Sequence, residues 1–492
     1  MKRVLPILLF FSLPCAVFGQ GAARTVSPLD YGLREATTGI GRYYALYNAH
    51  VEALRMGAEV SYAGIDSLEL ELPPSFKSIP LGRHTDFGGL VIQVTNNVKH
   101  GALFALTNGA VALQMDKATV DGQDYTAVPE LARGLHLLLL KDRKPWTERR
   151  GFGYMAYRSD VVVVRDGRGQ NRPVMPWNTD STQLGASYCT VDDGLKEVRG
   201  LTMHRTKQST FRTYCLSVTG QYNVLVEDMH VTTPRSKMIA DGVFSVSNSA
   251  KLLFRNITVD GTYSGYGRTR NYGYAFSLNN VYDSRYEHIR AHGNWGVFGS
   301  NNMSRTELED CDIDRFDIHC YGRDVTLRRC YLHGRQTIFG SMYGTVLFDS
   351  CTFEDYVPVR IRSSYNAYTP FDIVMHDCTY RLTLQHRSLV SIMLLDTAEN
   401  PRPELREKCW PNLYVDGLTV VAPWPVGTLN IYDPIDNLDD LNREIGYLSN
   451  VSIHGLKTVR PSGRETDVKM RLFSHDVKTK NEVNYTVEHV KE

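Results

Sequence analysis

The stretch "CLSVTGQYNVLVEDMHVTTP" (215–234) reads as a short alternating strand, a polar turn, and two further short alternating strands. It recurs: "VFSVSNSAKLLFRNITVDGT" (243–262), "AFSLNNVYDSRYEHIRAHGN" (275–294), "VFGSNNMSRTELEDCDIDRF" (297–316), "DIHCYGRDVTLRRCYLHGR" (317–335) and "IFGSMYGTVLFDSCTFEDY" (338–356) follow the same plan. A period of about twenty residues with several strands per repeat is the signature of a stacked, quasi-one-dimensional architecture.

Leucine-rich repeats share the period but need a leucine-dominated, partly helical unit, which these lines lack. A parallel β-helix remains, an all-β fold in which each coil stacks on the next at about 4.8 Å and like positions form columns along the axis. One column supports the register: Met229, Ile257, Ile289, Cys311, Cys330 and Cys351 make an inward apolar stack. Cysteine replaces aliphatics there, and stacked parallel side chains are poorly placed for disulfides, so these thiols and Cys378 are expected in the core. A second column, Asn248, Asn280 and Asn302, falls in the turn after the first strand and predicts a ladder of side-chain amides, with Asn302 also a candidate sugar contact. "YYALYNAHVEALRMG" (43–57) has helical spacing and predicts an N-terminal helix capping the first coil. Residues 70–200 are expected as less regular coils, 215–382 as regular ones and 383–492 as further strands. No Gly-, Ser- or Pro-rich linker breaks the chain, so residues 20–492 are expected to be one domain.

The 492 residues carry net charge +1 and are 42% hydrophobic, which fits a globular chain with a large core and gives no reason to favour nucleic acid as partner. Residues 1–19 have a basic start, an apolar run and small residues before Gln20, the pattern of an export signal. The run is short for a membrane span and no later segment is apolar enough, so a monomer exported to the periplasm or cell surface is expected.

In the first strand of each coil, Leu216, Val218, Phe244, Val246, Phe276, Leu278, Phe298, Ile318 and Phe339 are expected to face the core. The alternate column then reads Ser217, Ser245, Ser277, Gly299, His319 and Gly340, one imidazole bracketed by glycines in an open trough. Asp317, two residues away and about 6.6 Å along the strand, is placed to set the imidazole's tautomer. His292 and His333 come just before the trough strand of the following coil and are expected to rim it. Trp295 offers a face for a pyranose. Arg315, Arg323, Arg335, Arg360, Arg362, Tyr321 and Tyr343 enrich the region in guanidinium and phenol, and the insertion 261–274 brings Arg270; this mix suits an anionic sugar polymer.

"HGNWGVFGSNN" followed one coil later by "RFDIH" resembles the right-handed parallel β-helix polysaccharide lyases of glycan-degrading gut bacteria, nearest to the chondroitin sulfate and hyaluronan lyases. The resemblance covers about residues 25–380 and is strongest over 290–345. It implies β-elimination of a uronate polymer: a base removes the C5 proton, a cation neutralises the adjacent carboxylate, and an acid protonates the departing O4. His319 is the expected base, oriented by Asp317, with Arg315 or Arg335 neutralising and Tyr321 or His292 as acid. Such lyases often use calcium, but the trough column has one acid, so no metal or other cofactor is expected. The alternatives are a β-helix glycoside hydrolase, which needs convergent carboxylates and finds only the remote Asp192 and Asp193, and a non-catalytic glycan-binding protein.

Overall fold

The computed structural model describes residues 24–96, 100–143, 147–149, 154–173, 184–205, 212–232, 242–260, 274–292, 296–333, 337–354, 357–362, 371–383, 390–395, 411–434, 450–474 and 485–488. Successive coils pair in parallel over long registers: Leu216 lies on Phe244, Phe244 on Phe276, Phe276 on Phe298 and Phe298 on Phe316. This is a parallel β-helix. The phenyl rings follow the strand spacing, with Phe244, Phe276 and Phe298 stacked at centroid distances of 4.8 and 4.9 Å. The alternating runs near the C-terminus continue the stack, since Asn412–Val421 pairs in parallel with both Asp372–Arg381 and Val451–Val459.

Three columns of left-handed residues turn the corners of the coil. Gly220, Asn248, Asn280, Asn302 and Tyr321 form the first, at φ between 50° and 65°. Asn223, Lys251, Asp283, Arg305, Asp324 and Gly344 form the second, and Gly200, Asp228, Asn256, His288, Asp310, Arg329, Ser350, Asp377, Gly417 and Gly455 the third. Such a conformation costs an ordinary L-residue about 1–2 kcal/mol and least for Gly, Asn and Asp, which explains their dominance at the corners. In the first column the Asn280 amide donates to Asn248 Oδ1 at 2.9 Å, so the asparagines do ladder.

The inward thiol column is equally clear. Met229 lies on Ile257 and Ile257 on Ile289, while Cys311, Cys330, Cys351 and Cys378 are all buried free thiols, each donating to a carbonyl of the coil beneath.

A helix, Gly39–Met56, forms from the segment with helical spacing. Thr38 accepts the Gly41 N–H at its start and Gly57 closes it at φ 61°. Tyr43 and Leu46 bury into the same core as Leu68, Leu70 and Ile79.

Residues 111–191 differ from the expected irregular coils. The helix strands run as far as His100–Thr107, and the chain returns to the stack at Lys196–Arg205. Between them lies a five-stranded antiparallel sheet that includes Leu135–Asp142, Ser159–Arg165 and Leu184–Val191. "LHLLLLKD" and "SDVVVVR" are continuous apolar runs because both faces are covered. Leu138, Leu140, Val162 and Val164 pack with Val120, Tyr125 and Leu131, whereas Leu137, Leu139, Val161 and Val163 pack on Ala250, Tyr222 and Tyr282 of the β-helix.

Candidate functional site

The register at the predicted trough differs from the sequence reading by one column. Gly299 lies opposite Asp317, not His319, and Ile318 lies opposite Ser300, not Phe298. The next pair is Asn301 with Cys320, so His319 is the extra residue of a β-bulge. The outward column is therefore Ser217, Ser245, Ser277, Gly299, Asp317, Ile338 and Arg360. A bulge re-aims a side chain without moving the coil, and here it lifts the imidazole beside the carboxylate of its own strand.

Gly299 does not leave an open trough. A Cβ on Gly299 would lie 2.3–2.6 Å from ring atoms of Tyr274, and one on Gly296 would lie 2.8 Å from the same ring. These residues are glycine because the Tyr274 ring lies across their backbone. The Tyr274 hydroxyl then donates to Asp317 Oδ2 at 3.1 Å and lies 3.2 Å from His319 Nε2. His319 Nε2 is also 3.2 Å from Asp317 Oδ2, and Arg315 pairs with the same oxygen. Sequence reasoning missed Tyr274. Its signal was a large and small alternation down one column, Tyr214, Gly242, Tyr274, Gly296, in which the Tyr214 ring likewise covers Gly242.

Asp317 is fully buried and Arg315 nearly so. Burial pushes the carboxyl of Asp317 up, but Arg315, then His319 and Arg362, outweigh it and hold the group well below the usual carboxylate range. Tyr274 is pushed far above the usual phenol value, by burial first and by Asp317 second. It is a neutral O–H donor across the physiological range. Arg362 thus acts on both groups, while Arg360 stands two coils beyond Asp317 in the outward column.

Other sequence candidates lie elsewhere. Tyr321 occupies the left-handed corner and is buried, with Arg158, Tyr343 and Asp142 acting on it; burial raises its hydroxyl strongly. That is the residue expected, with His292, as the acid for the departing O4. Arg323 lies opposite Tyr343 on the strand after that corner and pairs with Asp324 at 3.2 Å. Arg315 is committed to Asp317 rather than open to a ligand. Arg335, Trp295 and Arg270 lie outside the described residues.

Asn302 lines a cavity of about 460 Å³ between the antiparallel sheet and the β-helix. Lys141, Tyr157 and Ser187 form its roof, and Asn280, Asn301 and Cys320 its floor. The floor is the far end of the strand face that carries Asp317 and His319, Cys320 being the residue after His319.

His292 and His333 come together two coils apart with the coil of Asp312 and Asp314 between them. Their ring centroids are 4.3 Å apart. Each Nε2 meets a different oxygen of Asp312, at 3.1 and 3.0 Å, and the Nδ1 atoms lie 3.6 and 3.2 Å from Asp314 Oδ1. Hydrogen bonding to Asp314 outweighs desolvation and raises the pKa of His292. Asp314 immediately precedes Arg315, so the short segment 314–317 joins the two clusters.

No protein-family model matches the sequence, and no curated protein sequence matches it. Among solved structures, the chain is similar to the tailspike protein gp49 from Pseudomonas phage LKA1, at 15% identity and TM-score 0.50, covering 92% of this chain and 83% of that one. It is also similar to the Pseudomonas phage phi297 tailspike gp61, at 12% identity and TM-score 0.52, covering 89% and 81%. At these identities the likeness is one of fold, and it agrees with the parallel stack described above. Among the described residues no helix is long and apolar enough to cross a membrane.

Proposed function

We propose that this protein is an exported polysaccharide lyase that cleaves a uronate-containing polymer, of the chondroitin sulfate or hyaluronan class, by β-elimination. The observation that carries the reading is the Tyr274 hydroxyl held within 3.2 Å of both Asp317 and His319, beside a carboxylate that stays ionised. His319 takes the C5 proton, the C4–O4 bond breaks as the C4–C5 double bond forms, and neutral Tyr274 gives its proton to O4. The 3.2 Å contact between Tyr274 and His319 lets the captured proton return to the phenol, closing the cycle. Arg362, whose charge acts on both Asp317 and Tyr274, is assigned to neutralise the uronate carboxylate, with Arg360 further along the column.

Hydrolysis suits these residues less well. A glycosidase acid needs a raised carboxyl pKa, and Asp317 is driven the other way by Arg315 and its neighbours. The amide-rich cavity at the strand end offers donors and acceptors for neutral sugar hydroxyls in either case.

Incubation with chondroitin sulfate, hyaluronan, alginate and pectin tests this directly. A lyase generates an unsaturated uronate absorbing near about 232 nm, whereas reducing ends without that absorbance mean hydrolysis. His319→Ala and Tyr274→Phe should each lower kcat by about 100-fold or more. Full turnover in either variant would remove that residue from the chemistry.

A further inference from the structure

We propose that His292, Asp314 and His333 form a binding site for one divalent d-block metal ion of the Zn²⁺ type. One donor atom from each of the three side chains falls within 4.8 Å of the others. Ligands at about 2.1 Å from a tetrahedral metal lie about 3.4 Å apart, and the observed Nδ1 to Asp314 Oδ1 separations of 3.6 and 3.2 Å bracket that value.

Asp312 supplies the independent observation. Its two oxygens accept the Nε2–H of both rings, at 3.1 and 3.0 Å, which aims both Nδ1 atoms at the same Asp314 oxygen. A carboxylate on the distal nitrogen is the arrangement that orients metal-binding imidazoles and raises their basicity. The rings are partly buried, and their residues stand two coils, about 9.6 Å, apart at the backbone. Imidazoles at 4.3 Å therefore mean that both side chains lean over the coil between them. An ion here would tie three successive coils together, with the middle one continuing into Arg315 and Asp317. A fourth position remains for water or a ligand oxygen.

The test uses the full-length chain, stripped with chelator and titrated with Zn²⁺ by calorimetry, and with Co²⁺ by visible absorption. The site predicts one equivalent bound, a tetrahedral Co²⁺ spectrum and a higher thermal midpoint. His292→Ala and His333→Ala should each abolish the Co²⁺ spectrum. Asp312→Asn, which keeps all three donors, should weaken binding by about 10- to 100-fold. Circular dichroism of the metal-free variants establishes that they fold. Absence of saturable binding, or one-equivalent binding unchanged in both histidine variants, would overturn the site and leave a carboxylate–imidazole clamp between coils.

Discussion

Replacing Gly299 with alanine isolates the packing on which the candidate site is built. Gly299 has no left-handed backbone requirement, so any cost comes from space. The added Cβ would sit 2.3 Å from the nearest ring atom of Tyr274, and ordinary contact begins near 3.4 Å, so the ring must lift by about 1 Å. Its hydroxyl, now 3.1 Å from Asp317 and 3.2 Å from His319, would leave hydrogen-bond range of both. Overpacking of this kind costs about 1–3 kcal/mol, and the lost bond to an ionised carboxylate about 1.5–3 kcal/mol. Since lifting the ring relieves some of the clash, about 2–4 kcal/mol is expected for the whole change. Denaturant unfolding of Gly299→Ala, Tyr274→Ala and the double variant makes a cycle. In the Tyr274→Ala background the three atoms nearest the added Cβ are gone, so its cost should fall below about 0.5 kcal/mol. An equal cost in both backgrounds, or none in the native one, would show that the ring does not lie on this glycine.

Asp317→Asn removes the countercharge of buried Arg315 and should cost about 3–5 kcal/mol near neutral pH. The folded pKa of Asp317 is depressed, so its contribution is complete above the unfolded value of about 4 and is lost only as pH falls towards the far lower folded value. The gap between native protein and variant should thus hold from pH 8 to pH 5 and close in strong acid; a gap that widens in acid would contradict this. His50 has the same sign over a higher window. Burial lowers its pKa from 6.5 to about 3, so the unfolded chain alone takes up a proton as pH falls through that window. Native stability should decline there by about 1.4 kcal/mol per pH unit from this group, and His50→Gln should remove that component from the urea-unfolding pH profile.

The fold was legible because its constraints repeat. Twenty-residue spacing, the left-handed Asn column and the inward thiols each sample the same coil several times. The site was less legible because it breaks the repeat. Ser300 points inward, fully buried, with its hydroxyl donating to the Asp317 carbonyl at 2.8 Å, so matching apolar positions paired Ile318 with Phe298 and hid the bulge. Tyr274 stood at the end of an insertion, where loop and strand cannot be told apart by alternation alone. The antiparallel sheet was masked differently: unbroken apolar runs are compatible with any strand covered on both sides.

The thiol column has a consequence for how the chain reaches its native state. Once stacked, Cys311, Cys330, Cys351 and Cys378 are shielded from solvent, and burial raises Cys378 to about 12, so that thiol stays protonated. Before stacking, the same four sulfurs lie 19, 21 and 27 residues apart on an open chain and are ordinary nucleophiles. Wherever oxidant meets the unfolded polypeptide, maturation becomes a contest between coil docking and mispairing of sulfurs, and a reductant should raise refolding yield while leaving the finished protein unchanged.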